Sequence, residues 1–225
     1  MTPPVKRRSG QHHGDLRRVL EEAALSLVAE RGPNGFTLAE ASRRAGVSVA
    51  APYKHFADRD ALLAVLAERG YREQRMRFTR AMEGSAGPIE QLAAFAAAYV
   101  RFAAQERALF DITFAAGLDK AEYPSLASAG GELLAALLPA AARVAPGEEA
   151  AYDLLLRIAA AAHGLSVFLR QGLFGVSEEA LDVTAERAAQ TARDIAEASQ
   201  NPAEPEPEPP PEPGAGGSDR SRHEP

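Results

Sequence analysis

Apolar residues recur along this chain at steps of three and four, the period of a helix that buries one face. Leu16, Leu20, Ala24, Leu27 and Val28 predict a helix from Gly14 to Arg31, closed by Gly32, Pro33 and Gly35. A longer one is expected from Asp58 to about Ala81, with Leu62, Leu66 and Arg69 on one face. Gly84, Ser85, Gly87 and Pro88 then break the pattern, which makes 83–88 a domain boundary and an expected hinge. Beyond it Leu92, Phe95, Tyr99 and Phe102 line one face, and Phe110 and Phe114 follow a turn near Glu106. Tyr123, Pro124 and Gly130-Gly131 mark a loop before a helix from Leu133 to Val144, which Pro146-Gly147 ends. The longest apolar helix runs from Glu148 to Phe174, and Ser177, Glu178 and Glu179 open the last one. Residues 88–199 show no strand-like alternation, so the fold class is all-α.

The stretch 35–63 carries three helix starts in quick succession. Thr37 and Glu40 form a capping box, in which each side chain satisfies the other residue's unpaired backbone N–H. A short helix from Leu38 to near Ala45 follows, with Gly46 giving the left-handed exit. Val47 plugs the turn, Ser48 can cap the segment VAAPYKHF, and Asp58 caps the next helix. Pro52 is tolerated only in a first helical turn, so the helix after Ser48 must begin near Ala50 or Ala51.

This arrangement of GFT, AGVS and YKHF resembles the N-terminal DNA-binding domain of the TetR/AcrR family of transcriptional regulators over roughly residues 14–66. Ala50 stands where that family often has glycine, Pro52 where it often has an aliphatic residue, and Ala41 is smaller than usual. The resemblance implies a helix-turn-helix whose second helix recognises DNA. Thr37, Ser48, Tyr53, Lys54 and His55 are then phosphate-gripping donors, while Val49, Ala50 and Ala51 are small enough to approach base edges. Arg43 and Arg44, on the preceding helix, would face the DNA backbone. Four segments are expected: a mobile basic arm (1–13), a DNA-binding domain with its connector helix (14–82), a helical ligand-binding and dimerisation domain (88–199), and a disordered Pro/Glu-rich tail (200–225).

Charge supports that division. The net charge of −6 is unpromising for a nucleic-acid binder, but residues 1–80 carry 15 Lys/Arg against 9 Asp/Glu, whereas 81–200 carry 8 against 16. A basic head on an acidic body is what local counterion release needs. Lys6–Arg8 could extend the head as an arm along DNA. There is no cysteine, no apolar core of a signal peptide and no evident membrane span, so a cytoplasmic, membrane-free protein is expected. No histidine-carboxylate cluster or phosphate loop is present. Neither an enzyme nor a metal or cofactor is called for.

In the Ala-rich body, the aromatics Phe95, Tyr99, Phe102, Phe110 and Phe114, with His163, are either ordinary core or the wall of a small-molecule cavity. The last two helices carry long apolar stripes, Leu154, Ile158, Ala161, Leu165 and Phe168 on one and Leu181, Thr184, Ala188, Thr191 and Ile195 on the other, which suggests a homodimer interface. The reading is a ligand-responsive regulator, a repressor, that binds double-stranded palindromic DNA as a homodimer. The alternative is a helical dimer or interaction protein that does not bind DNA.

Overall fold

The computed structural model describes residues 9–200. Eight α-helices follow one another: α1 (Ser9–Arg31), α2 (Leu38–Arg44), α3 (Arg59–Met82), α4 (Pro88–Gln105), α5 (Arg107–Ala115), α6 (Pro124–Ala142), α7 (Glu148–Arg170) and α8 (Glu178–Gln200). One short 3-10 turn, Pro52–Lys54, lies between α2 and α3. The described residues contain no strand. The expected arm at Lys6–Arg8 and the tail beyond Gln200 lie outside them.

The local signals account for most of the boundaries. Both halves of the capping box form, Thr37 N–H donating to Glu40 Oε2 at 2.8 Å and Glu40 N–H to Thr37 Oγ1 at 3.2 Å. Asp58 accepts from Ala61 N–H at 2.7 Å, and Ser177 from Ala180 N–H at 3.1 Å. Gly46 has φ of 69°, the left-handed exit from α2.

Four expectations are corrected. Helix α1 begins at Ser9 rather than Gly14, since no proline stands between Pro4 and Pro33 to stop it. Gly130-Gly131 lies inside α6, which starts at Pro124 because its first two turns bury Leu126 and Ala129. Helix α7 stops at Arg170, four residues short of Phe174, where Gly172 turns the chain at φ of 80°. Helices α6 and α7 are also long and apolar enough, by length and composition alone, to cross a membrane. About a third of each such window is buried against the other helices.

Two apolar cores form. In the first, Leu20, Ala24, Leu27 and Val28 of α1 meet Leu38 and Ala41 of α2, Phe56, and Leu62, Leu63 and Leu66 of α3. This core does not stop at the head. It continues through Tyr71 to Ile112 of α5, to Ala116 at the end of that helix, and to Leu126 and Ala129 of α6. The second core joins Phe78, the inner face of α4, Leu154, Leu155 and Ile158 of α7, and the alanines 185, 188, 192 and 196 of α8. With side chains this small, α8 packs closely on α4, and Arg193 holds Glu90 through two hydrogen bonds of 2.9 and 3.0 Å. Leu154, expected in a seam between two copies, is instead 1% exposed within this core, because it lies on the inner face of α7.

Candidate functional site

The segment 41–57 carries three cations and no acid. Most of it is surface: Arg43, Arg44, Ser48, Val49, Ala50, Tyr53 and Lys54 are exposed, while Ala51 and His55 are half-buried. Tyr53 is 60% exposed, an unusual place for an aromatic ring. Two anchors hold the segment. Pro52 is buried, and Phe56 is 3% exposed in the head core with the Arg17 guanidinium 5.7 Å from its ring centre.

The expected recognition α-helix is absent here; only the 3-10 turn forms. Pro52 has no N–H to give to the Ser48 carbonyl, so that carbonyl takes Ala51 N–H at 3.0 Å instead. His55 and Phe56 both donate backbone N–H to the Pro52 carbonyl, at 2.8 and 2.9 Å. The result is a string of tight turns with Tyr53 and Lys54 at its outer surface.

The neighbouring cations divide. Arg43 makes no ion pair among the described residues. Arg44 grips Glu30 of α1 with both guanidinium ends and donates to Ser26 Oγ at 2.7 Å, which holds the Glu30 carboxyl below its usual range. Its work is to tie α2 to α1. The Thr37 hydroxyl is engaged in the capping box, donating to Glu40 Oε2 at 2.9 Å. Arg17 and Arg18 pair with Glu21 and Glu22 one turn along α1 and, with the helix starting at Ser9, lie more than two turns from its N-terminus, beyond reach of the helix dipole.

In the body, the six side chains singled out by sequence share one cluster. Phe110 packs against His163 and Phe114 with ring centres 5.3 and 4.9 Å apart, and the Tyr99 hydroxyl shares a 2.9 Å hydrogen bond with His163 Nδ1. Phe78 joins them, 5.3 Å from Phe95, 5.7 Å from Tyr99 and 6.1 Å from Phe102. Burial pushes the Tyr99 phenol far up, and burial with the Arg170 charge pulls the His163 imidazolium down, so the pair is neutral near pH 7.

Beside this cluster lies a cavity of about 190 Å³ that is open to solvent on the side of the exposed Phe114, Leu134, Tyr152 and Leu156. Phe95, Tyr99 and Phe114 line it; Phe102, Phe110 and His163 do not, standing behind them. Other walls escaped the sequence reading: Tyr71, Gln74 and Phe78 of α3, Leu133, Leu134 and Leu137 of α6, and Tyr152, Leu155, Leu156 and Ala159 of α7. The α3 residues were legible only as a connector, because Arg72, Arg75 and Arg77 interrupt them.

The model of bacterial regulatory proteins of the tetR family matches residues 20–66, and that of the tetracyclin repressor-like C-terminal domain matches 92–192. A solved protein of unknown function from Rhodococcus sp. RHA1 is 31% identical, covering 83% of this chain and 98% of its own, with a TM-score of 0.68. The chain belongs to the TetR family of transcriptional regulators. Its head is thus a DNA-binding helix-turn-helix on an all-helical body. More distant solved structures share the fold. A TetR regulator from Marinobacter aquaeolei VT8 is 18% identical over 83% of this chain and 97% of its own, with a TM-score of 0.60. RolR, solved with resorcinol, is 20% identical over 88% and 98%, with a TM-score of 0.55. Among curated proteins none matches.

Proposed function

We propose that this TetR-family protein is a ligand-responsive repressor that acts in the cytoplasm and binds a palindromic operator as a homodimer. The acid-free surface of residues 41–57, with Tyr53, Lys54 and Arg43 outermost, supports the DNA contact. Lys54, Tyr53, Ser48 and the half-buried His55 serve phosphates, and Thr37 serves them through the helix end it caps. Val49, Ala50 and Ala51 lie against base edges, and Arg44 contributes by bracing α2.

For the ligand, the supporting observation is the cavity, and RolR bound to resorcinol supplies a precedent within the fold. One helix serves both functions. Leu62, Leu63 and Leu66 of α3 close the head core, and Tyr71, Gln74 and Phe78 two turns on wall the cavity. A ligand that moves α3 changes the spacing of paired recognition elements, which must stay near roughly 34–36 Å to meet successive major grooves. A coupling of about 1–3 kcal/mol would shift operator affinity roughly 5- to 150-fold.

The test is a gel-shift series with selected duplex DNA over a range of salt. Replacing Tyr53 by Phe and Lys54 by Ala together should weaken binding to every sequence, and the lost Lys54 contact should reduce the salt slope by about 1. Unchanged affinity in this double variant would refute the assigned surface.

A further inference from the structure

Gln74 lies near the middle of α3, is 1% exposed, and lines the cavity. Its amide Nε2 has no hydrogen-bond partner among the described residues. A buried amide N–H without an acceptor is unfavourable, and native structures rarely retain one without a use. Three tyrosines share the wall, Tyr71, Tyr99 and Tyr152, and none of their hydroxyls is bonded to Gln74; that of Tyr99 is already shared with His163. Apart from these hydroxyls the walls are rings and aliphatic chains, with no charged residue among them.

Size narrows the occupant. An apolar cavity of about 150 Å³ is known to hold benzene, so 190 Å³ suits roughly seven to ten non-hydrogen atoms. The faces and edges of Phe78, Phe95, Tyr99 and Phe114 favour a flat ring. A carboxylate or ammonium seated among the inner walls would give up hydration for no countercharge.

We propose that the cavity binds a neutral, single-ring aromatic compound bearing one acceptor oxygen, and that Gln74 sets this specificity by donating Nε2–H to that oxygen. The inference rests on the ligand-responsive reading above and adds to it the chemistry of the ligand. Hydrocarbon rings of the same shape fill the volume but leave Gln74 unpaired, so they bind more weakly.

Titration calorimetry on the full chain tests this with acetophenone, its hydrocarbon counterpart isopropylbenzene, and benzoate. Wild type should hold acetophenone about tenfold more tightly than isopropylbenzene and more tightly than benzoate. In Gln74→Met, which keeps the volume, acetophenone should weaken about tenfold while isopropylbenzene binds at least as well. Ala159→Phe, which fills the cavity, should abolish both. The proposal fails if wild type shows no preference for the ketone, if the preference survives in Gln74→Met, if benzoate binds as well as acetophenone, or if neither neutral probe binds at millimolar concentration. The same probes in the operator gel shift separate the two claims. Gln74-dependent binding without any effect on DNA would remove the ligand-responsive reading alone, whereas a DNA response unaltered in Gln74→Met would remove the specificity claim alone.

Discussion

Two residues show how far single side chains decide the stability of this protein. Thr37 satisfies the Glu40 N–H, and Thr37→Ala should destabilise the head by about 1 kcal/mol, as a lower unfolding midpoint in urea. Glu40 does more than cap: the Thr37 N–H first, then the Thr37 hydroxyl and Arg31, hold its carboxyl below the ordinary 4.5. His163 acts in a different pH window. Its folded-state proton affinity lies below the ordinary 6.5, so the unfolded chain takes up the proton first, and the neutral folded form loses stability as pH falls below about 6.5. Unfolding followed at pH 7.5 and pH 5.5 should show wild type losing more stability on acidification than His163→Gln. An equal loss in both would mean that this histidine titrates alike in the folded and unfolded chain.

At the scale of elements, α3 is held by close contact with α5. Gly70 faces Thr113, and a Cβ added there would meet Oγ1 at 2.6 Å. Glycine inside a helix is worse than alanine by about 1 kcal/mol, so in open space Gly70→Ala would stabilise α3. Here the clash prevails, because Oγ1 is held in place by its 2.8 Å hydrogen bond to the Leu109 carbonyl. Gly70→Ala should therefore lower the urea midpoint, by about 1 kcal/mol, and adding Thr113→Ala should raise it again. A single variant more stable than wild type would show that α3 and α5 can separate without penalty. The turn at Pro52–Lys54 is the other element set by one residue, since Pro52 removes the donor that a regular helix there would need.

For the whole molecule, the outward side of α7 carries Leu156, Ala160, Gly164 and Phe168 at steps of four, with Leu156 55% and Phe168 47% exposed. Leu173 and Val176 after the helix and Val183 on α8 extend this apolar surface. It is the face on which the proposed homodimer would close, whereas the buried face of α8 is taken up by α4 of the same chain. Leu156→Glu should leave the monomer folded and shift light scattering from dimer to monomer, with unchanged helicity. Leu154→Glu should unfold the chain, because it puts a charge into the inner core. A Leu156→Glu protein that stays dimeric would place the interface elsewhere.

Helix content, the capped starts at Thr37, Asp58 and Ser177, and the family's DNA-binding motif were all legible in the sequence, because caps and period-3.6 patterns act between residues a few positions apart. The aromatic stripe from Phe95 to Phe114 was legible too, but whether each ring is wall or backing was not. Phe95 and Tyr99 face the cavity while Phe102, on the same helix face, packs under Phe78, a difference set by where α3 crosses α4. The inward turn of Leu154 and the placing of Gln74 against a cavity likewise depend on which helix lies opposite. Periodicity tells which residues share a face; only the packing of distant helices decides whether that face meets a partner, a cavity or water.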